Sequence, residues 1–521
     1  MTAEVSEQSP TADARTTAGT VRGRWENGLA VFRGIPFAAP PVGEARFAAP
    51  RRAARWDGVR EAFAFGSCAP QDYAVFRDQV GALPPQSTDD DWLTLNVWTP
   101  APDRAAPRPV MVWIRGGAYK LSSSSDSAYD PRSIAREGDL LVVSCNYRLG
   151  VEGFAALEGA PANRGLLDQV AALEWVRENI AAFGGDPGQV TVFGESAGAG
   201  SMAALLAMPS AAGLFHRAIA QSVGGPFLSA VEPNDLAMAG EEATAGQRER
   251  VGRWGQLADH PSLFGPVVDG DVLPTTPWRA LAAGAGRGVE LIAGHTPDEY
   301  RSFLPPGPGA VDEREVSRAL TVYGPGPDDA VGQSRQRARA TLYSRESVTL
   351  SREVSRFLGR VPRPHRIRQQ HPGRRDRLPV RVLAHLRRTA LGAGPLRLAV
   401  PHALAPAGRE PGHRRRPGPR LRPHLAACHG LDLPLVFGDF TTGFGQLLGV
   451  PTPAEALHLT ARFRTARTAF ATTGAPGWPS FDTEHRLTQV FGAPPTVAAY
   501  PEETSQRLWQ DHEFPPLPLR A

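Results

Sequence analysis

The chain has 521 residues, of which 41% are hydrophobic and 21% charged, and this composition excludes a protein that is disordered throughout. Three scattered cysteines, Cys68, Cys145 and Cys428, are too few for a disulfide framework or a four-ligand zinc site, so they favour a reducing compartment. The start of the chain has no apolar signal region and no long apolar run occurs, so we expect a cytoplasmic protein without a membrane span.

The net charge of +4 is unevenly distributed along the chain. Residues 360–422 contain seventeen arginines and only two acids, so the remainder of the chain is acidic. The positive net charge therefore comes from one stretch of the chain and is not a property of the whole protein.

The predicted elements follow an order that is typical of α/β proteins. Residues 1–18 are expected to form a disordered polar tail, and 19–515 a single domain that starts with antiparallel strands. Buried strands are predicted in LTLNVWTP (93–100), PVMVWIRGG (109–117) and DLLVVSCNYRLG (139–150). A helix from Asp168, the strand QVTVF, the helix AGAGSMAALLAMP and the strand VELIAGH (289–295) come next, whereas LPLVFG (433–438) fits strand or helix. This alternation predicts a large, mostly parallel sheet flanked by helices.

A G-x-S-x-G motif, GESAG at 194–198, lies between a predicted strand and a predicted helix. In this context the motif is a nucleophile elbow, in which small neighbours let the strand and helix backbones approach and leave the Ser196 hydroxyl exposed. The alternative is a glycine-rich turn whose serine only caps a helix.

The block NRGLLDQVAALEWVRENIAAFGGDPGQVTVFGESAGAGSM (163–202) resembles the signature of the type-B carboxylesterases, which have the α/β-hydrolase fold. VFRGIPFAAPPVGEARF (31–47), WIRGGAY, NYRLGVEGF, GLFHRAIAQS and GPVVDGDVLP are similar to that family in order and spacing. The resemblance implies a serine esterase that cleaves small carboxylic esters through an acyl-serine intermediate and needs neither a metal nor an organic cofactor.

Acyl transfer by Ser196 requires a base and an acid, in the chain order Ser, Asp/Glu, His. Asp298 and Glu299 are both chemically adequate acids, and the family resemblance selects Glu299, although Tyr300 replaces the usual Gly. The segment ACHGLDLPLVFGDF (427–440) resembles the family's catalytic loop, which implies His429 as the base.

An oxyanion hole is also implied, because backbone amides must stabilise the tetrahedral intermediate. RGGAY (115–119) resembles the family's oxyanion element, so Gly117 and Ala118 are the expected donors, together with Ala197 after the nucleophile. Arg115 is an unusual first residue, and we expect that it could alter access to the site.

The segment 358–426 departs from the family, since no aromatic residue occurs between Phe357 and Phe437. A nucleic-acid-binding insertion, a solvated loop and a shifted reading frame are three explanations, and the first is disfavoured because no aromatics interleave the arginines. We favour a shifted frame from near 358 that is restored before Ala427, because the composition changes abruptly. Such a segment raises the alternative of a catalytically impaired or silent hydrolase fold.

Two further expectations concern the surroundings of the site. Cys68 lacks the partner cysteine of related proteins, because Trp92 occupies that place. The apolar residues Phe227, Leu228 and Leu435 suggest an apolar substrate pocket.

Overall fold

The structure is a computed structural model that describes residues 10–71, 89–102, 106–224, 227–229, 264–296, 299, 380–384, 429–442, 445, 454–481, 484–492, 494–499 and 517–518. The strands are β1 Thr11–Arg15, β2 Thr20–Glu26, β3 Leu29–Pro36, β4 Val59–Glu61, β5 Thr94–Thr99, β6 Arg108–Ile114, β7 Leu141–Cys145, β8 Gly185–Glu195, β9 Arg217–Gln221, β10 Leu228–Ser229, β11 Val267–Val268, β12 Glu290–His295, β13 Val380–Ala384, β14 Leu487–Val490, β15 Thr496–Ala499 and β16 Leu517–Pro518. The α-helices are α1 Arg132–Gly138, α2 Gly150–Phe154, α3 Arg164–Asn179, α4 Ala197–Ala207, α5 Pro277–Ala283, α6 Leu433–Phe437 and α7 Ala454–Thr473.

Thirteen strands form one mixed sheet in the order β1-β2-β3-β5-β7-β6-β8-β9-β12-β13-β14-β15, with β4 beside β2. The run from β7 through β14 is parallel. The strands β1, β2, β3, β5 and β7 pair antiparallel in that order, as β14 does with β15, whereas β4 is parallel to β2. The strands β10, β11 and β16 form a small separate sheet. The predicted α/β class and its mostly parallel sheet are therefore confirmed.

Successive residues of the central strands enter two cores on opposite faces of the sheet. In β6, Val110 and Val112 pack in the core that α3 and α4 cover, and Met111 and Trp113 pack in the core that α1, α6 and α7 cover. This division follows from the alternation of side chains along a strand. Because helices cover both faces, the central strands are apolar at nearly every position, and all of β7 is buried.

The helix predicted from Asp168 is α3, which begins four residues earlier, at Arg164, and ends at Asn179. Asp168, in the N-terminal half of this helix, anchors it by buried polar contacts. Asp168 accepts hydrogen bonds from the Arg148 guanidinium, at 2.9 and 2.7 Å, and from the Arg148 amide, at 3.0 Å. The segment 433–438, which fitted strand or helix, contains the helix α6.

Two strands lie in the segments 1–18 and 358–426, which the sequence analysis set apart from the rest of the domain. The strand β1 falls within 1–18, the expected tail, and an ion pair between Asp13 and Arg22 ties it to β2 at 2.6 Å. The strand β13 falls within 358–426, where its apolar sequence VRVLA pairs in parallel with β12 and β14. The expected disorder of residues 1–18 is therefore corrected for β1. The rest of 358–426 lies outside the described residues, and the three explanations for it stay hypotheses.

Candidate active site

Ser196 occupies a sharp turn between β8 and α4, with φ of 55° and ψ of −124°. The flanking glycines make this turn possible. A Cβ atom on Gly194 would lie 2.7 Å from the Ile114 carbonyl oxygen, and one on Gly198 would lie 2.0 Å from it. The Ser196 amide donates to the Gln221 carbonyl at 3.0 Å. The strained backbone is thus held by the neighbouring strands β6 and β9.

His429 lies between Ser196 and Glu299 and contacts both. Its Nε2 is 2.7 Å from Ser196 Oγ, and its Nδ1 is 2.5 Å from Glu299 Oε2. The His429 amide also donates to the Glu299 carbonyl, at 3.2 Å. With the proton on Nδ1, shared with the carboxylate, Nε2 is unprotonated and can accept the serine proton. The three residues that the sequence singled out are therefore side by side, whereas Asp298 lies outside the described residues.

The Glu299 carboxylate is buried and fully engaged. Its Oε1 accepts hydrogen bonds from Ser222 Oγ, at 2.6 Å, and from the Thr296 amide, at 2.7 Å. Burial alone would raise the pKa of Glu299, but the charge of His429 and these hydrogen bonds hold it well below its ordinary value. Glu299 is consequently a carboxylate at neutral pH, suited to stabilising an imidazolium.

The neighbouring carboxylates shift the pKa of His429 in the opposite direction, upward. Burial alone would lower the pKa of His429, but the charges of Glu195 and Glu299 raise it above its ordinary value, and the hydrogen bond to Glu299 adds to this. A histidine in this setting holds a transferred proton readily.

Glu195 belongs to the site, although sequence reasoning did not select it. Its Oε1 lies 3.2 Å from His429 Nε2, and burial raises the pKa of Glu195 to about 8. Gly116 makes room for this carboxyl, since a Cβ there would lie 3.0 Å from Glu195 Oε2. The feature of the sequence that could have identified Glu195 is its position directly before Ser196 in the motif.

The loop after β6 runs beside Ser196, because β6 and β8 are parallel neighbours with Ile114 opposite Gly194. Gly117 and Ala118 have φ of 106° and 54°, so the loop curls in the left-handed region. Ala197 begins α4, where an amide has no acceptor within its own helix. The three expected oxyanion donors therefore lie in elements that meet at Ser196.

Arg115 does not control access to the site, contrary to expectation. Its side chain is fully buried, stacks on the Tyr147 ring at 4.4 Å, and donates to the carbonyls of Leu121, at 3.0 Å, and Tyr147, at 3.3 Å. The Tyr147 hydroxyl in turn donates to the Arg115 carbonyl at 2.9 Å. Arg115 therefore supports the loop from beneath.

The expected apolar pocket is divided between different parts of the core. Phe227 and Leu435 are both buried, but Phe227 packs in the core on the α4 side of the sheet and Leu435 in the core on the α6 side. Leu228 lies in β10, beside β11. Cys68 is a buried free thiol and Trp92 is buried as well.

Among the residues that the structure describes, no group of three or more His, Cys, Asp or Glu could hold a metal ion. Within the same residues, no helix has the length and apolar character needed to cross a bilayer.

A mostly parallel sheet covered by helices on both faces, with a serine on a strained strand-to-helix turn, defines an α/β-hydrolase. The sequence profile of the carboxylesterase family matches residues 8–246. The chain is 34% identical to the para-nitrobenzyl esterase of Bacillus subtilis, over 95% of this chain and 98% of that one. The chain therefore belongs to the carboxylesterase family, as its motifs predicted.

Solved structures agree with this assignment. A PNB esterase structure has a TM-score of 0.74 and 31% identity, over 95% of this chain and 98% of that one. The carboxylesterase EST55 of Geobacillus stearothermophilus has a TM-score of 0.70 and 32% identity, over 96% of this chain and all of that one. The chain is a carboxylic ester hydrolase, and the alternative of an impaired or silent hydrolase fold finds no support in these relatives.

Proposed function

We propose that the protein hydrolyses small carboxylic esters by acyl transfer to Ser196, with His429 as general base and acid and Glu299 as the residue that orients His429. The observation that carries the proposal is the unbroken contact chain from Ser196 Oγ through the His429 ring to the Glu299 carboxylate, at 2.7 and 2.5 Å. Each contact is within the range in which a proton is transferred between heavy atoms.

In the acylation step, Ser196 Oγ attacks the ester carbonyl carbon while His429 Nε2 takes the serine proton. The carbonyl oxygen becomes an oxyanion, which the amides of Gly117, Ala118 and Ala197 stabilise. The tetrahedral intermediate collapses as the C–O bond to the alcohol breaks, and His429 gives its proton to the departing alkoxide oxygen.

Deacylation repeats these steps with water. His429 Nε2 takes a proton from a water molecule, whose oxygen attacks the acyl carbon, and the second tetrahedral intermediate releases the carboxylic acid as Ser196 Oγ recovers the proton. Glu299 keeps the proton on Nδ1 throughout and stabilises the imidazolium in each transition state. The proposal assigns no step to a metal or an organic cofactor.

The proposed substrates are small carboxylic esters, by analogy with the para-nitrobenzyl esterase that the chain resembles. We also propose that the protein acts in the cytoplasm, because Cys68 and Cys145 are buried free thiols and thiols persist in a reducing compartment.

The test compares hydrolysis of a short-chain p-nitrophenyl ester by the wild type and by Ser196→Ala. Loss of the nucleophile lowers kcat by about a millionfold in serine hydrolases whose triad acts as a unit. The matched control is Ser201→Ala, because Ser201 is a buried serine of the same helix whose hydroxyl accepts from Gln169 at 3.1 Å. A fluorophosphonate probe should label the wild type and Ser201→Ala but not Ser196→Ala. Equal rates in the wild type and Ser196→Ala would overturn the proposal.

A further inference from the structure

A buried arginine lies on α7, away from the contact chain described above. Arg467 is 2% exposed, and its guanidinium lies 3.6 Å from the centre of the Phe463 ring. Its Nη1 donates to the Phe463 carbonyl at 3.5 Å, while Nε and Nη2 contact no hydrogen-bond acceptor among the described residues. An arginine at this depth is rare unless a negative charge balances it.

The nearby acid is Asp432, three residues after His429 and at the start of α6. Asp432 is 6% exposed, and its Oδ2 accepts a hydrogen bond from Gln221 Nε2. Asp432 Oδ1 and Gln221 Oε1 have no donor among the described residues. Arg467, on α7, and Asp432, at the start of α6, thus both carry unpartnered buried polar atoms, and these two helices pack in the same core.

The two charges act on each other electrostatically. Burial raises the pKa of Asp432, and the Gln221 hydrogen bond and the charge of Arg467 oppose that rise. Burial lowers the pKa of Arg467 to about 9, and the charge of Asp432 opposes the fall. Each group therefore favours the charged form of the other in a largely buried region.

Asp432 connects Arg467 to the site in two ways, through its charge and through its hydrogen bond with Gln221. Its charge reaches His429, Glu299 and Glu195, which approach from the preceding loop, from the segment after β12 and from the end of β8. The side chain of Gln221 donates to Asp432, and the backbone carbonyl of Gln221 accepts a hydrogen bond from the Ser196 amide, at 3.0 Å. A change in the charge of Asp432 would thus be felt by His429 and by the turn that carries Ser196.

We propose that Arg467 is a positioning residue of the esterase site: it is the buried counter-charge that keeps Asp432 ionised, and through Asp432 it holds Gln221 and sets the charge that His429 experiences. This inference rests on the proposed function. Arg467 contacts neither the substrate nor the reacting atoms, so its influence passes entirely through Asp432.

The test is a double-mutant cycle of Arg467→Met and Asp432→Asn, read as the pH profile of kcat/KM with a p-nitrophenyl ester. Asp432→Asn removes a negative charge that favours the imidazolium, so the acidic limb of the profile should move to lower pH. Without the charge of Arg467 the pKa of Asp432 rises further, so Arg467→Met should move the limb in the same direction. Each single variant should lose on the order of ten-fold in kcat/KM, and the double variant should lose no more than either one, as coupled neighbours do.

Two more variants keep the outcome decisive. Arg467→Lys retains the charge and should keep the limb at its wild-type position, which a purely structural role would not require. Arg462→Met changes an exposed arginine of the same helix and should change neither the limb nor the rate. Removal of one member of a buried charged pair destabilises a protein, so each single variant is measured at a temperature at which it is folded. Thermal unfolding of each variant checks that it is folded.

The outcomes separate this inference from the proposed function. An unmoved or upward-shifted limb in Arg467→Met, or additive losses in the double variant, would overturn the role of Arg467 while Ser196-dependent hydrolysis by the wild type still stood. Absence of Ser196-dependent hydrolysis in the wild type would overturn both.

Discussion

Glu195 Oε1 lies 3.2 Å from His429 Nε2, the ring nitrogen that also contacts Ser196 Oγ at 2.7 Å. His429 Nε2 therefore faces both the Ser196 hydroxyl and the Glu195 carboxyl, while Glu299 contacts Nδ1. Burial raises the pKa of Glu195 to about 8, so this carboxyl and His429 titrate over overlapping ranges of pH. The site holds a coupled pair and not an isolated base.

Glu195→Gln should shift the acidic limb of the kcat/KM profile to lower pH. The anionic form of Glu195 raises the pKa of His429, and the amide removes that anion while preserving the shape of the side chain. The loss in kcat should stay below the roughly hundred-fold minimum of a missing general base. Glu178→Gln is the control, because Glu178 lies on the surface helix α3 and pairs with Arg52. A limb that stays in place or moves upward would contradict the coupling.

Glu299→Gln should lower kcat by about four orders of magnitude, because the amide no longer stabilises the imidazolium or the correct ring tautomer. Asp298→Asn is the matched control, since Asp298 is the neighbouring acid that the sequence also allowed. The measurement is steady-state hydrolysis of a p-nitrophenyl ester. If Asp298→Asn were the inactive variant and Glu299→Gln the active one, the assignment of the acid would be wrong.

Ser222→Ala should produce a smaller loss than Glu299→Gln. Ser222 Oγ donates one of the hydrogen bonds to the Glu299 carboxylate, at 2.6 Å, and the Thr296 amide remains after the change. A hydrogen bond to a charged group contributes about 1.5–3 kcal/mol, which sets an upper limit of roughly a hundred-fold on the rate. Kinetics of both variants on one substrate give the comparison. A loss as large as that of Glu299→Gln would mean that Ser222 does more than support the carboxylate.

Gly117→Ala should reduce kcat by about 10²- to 10³-fold with little change in KM, because the loop must shift and its amides then miss the oxyanion. A Cβ on Gly117 would lie 2.1 Å from the Leu121 carbonyl oxygen, and the φ of Gly117 is 106°. Ala118→Gly is the control, because Ala118 has a φ of 54° that glycine adopts without strain. Similar kcat values for the two variants would argue against a role of the loop in transition-state stabilisation.

Asp168→Ala should lower the free energy of unfolding by about 3–5 kcal/mol, because it leaves the fully buried Arg148 guanidinium without its carboxylate. Glu178→Ala removes a carboxylate whose partner, Arg52, has a side chain that is 79% exposed. The expected cost there is at most about 1 kcal/mol. Urea unfolding of both variants measures the difference, and equal losses would contradict the importance of burial.

Much of the fold could be predicted because its signals are local. Apolar runs between glycine and proline breaks indicated the central strands, and helical spacing indicated α3. The elbow at Ser196 was also predictable, since the need for glycine at 194 and 198 follows from the close approach of a strand and a helix. The short helix α6 was ambiguous, because a five-residue apolar run has no period to read.

The chain by itself determined the family, the nucleophile and the order of the elements, because these depend on residues that are neighbours in sequence. It left Asp298 and Glu299 equivalent as acids, and only the resemblance separated them. The tertiary structure decided that Glu299, 130 residues before His429, is the carboxylate that meets it, and that His429, 233 residues after Ser196, meets the hydroxyl. It also decided that Arg115 points into the protein, that Glu195 and Asp432 act on His429, and that Arg467 is buried on α7. Those contacts arise only when the parallel strands bring distant loops to one edge of the sheet, and burial there gives each charge its effect.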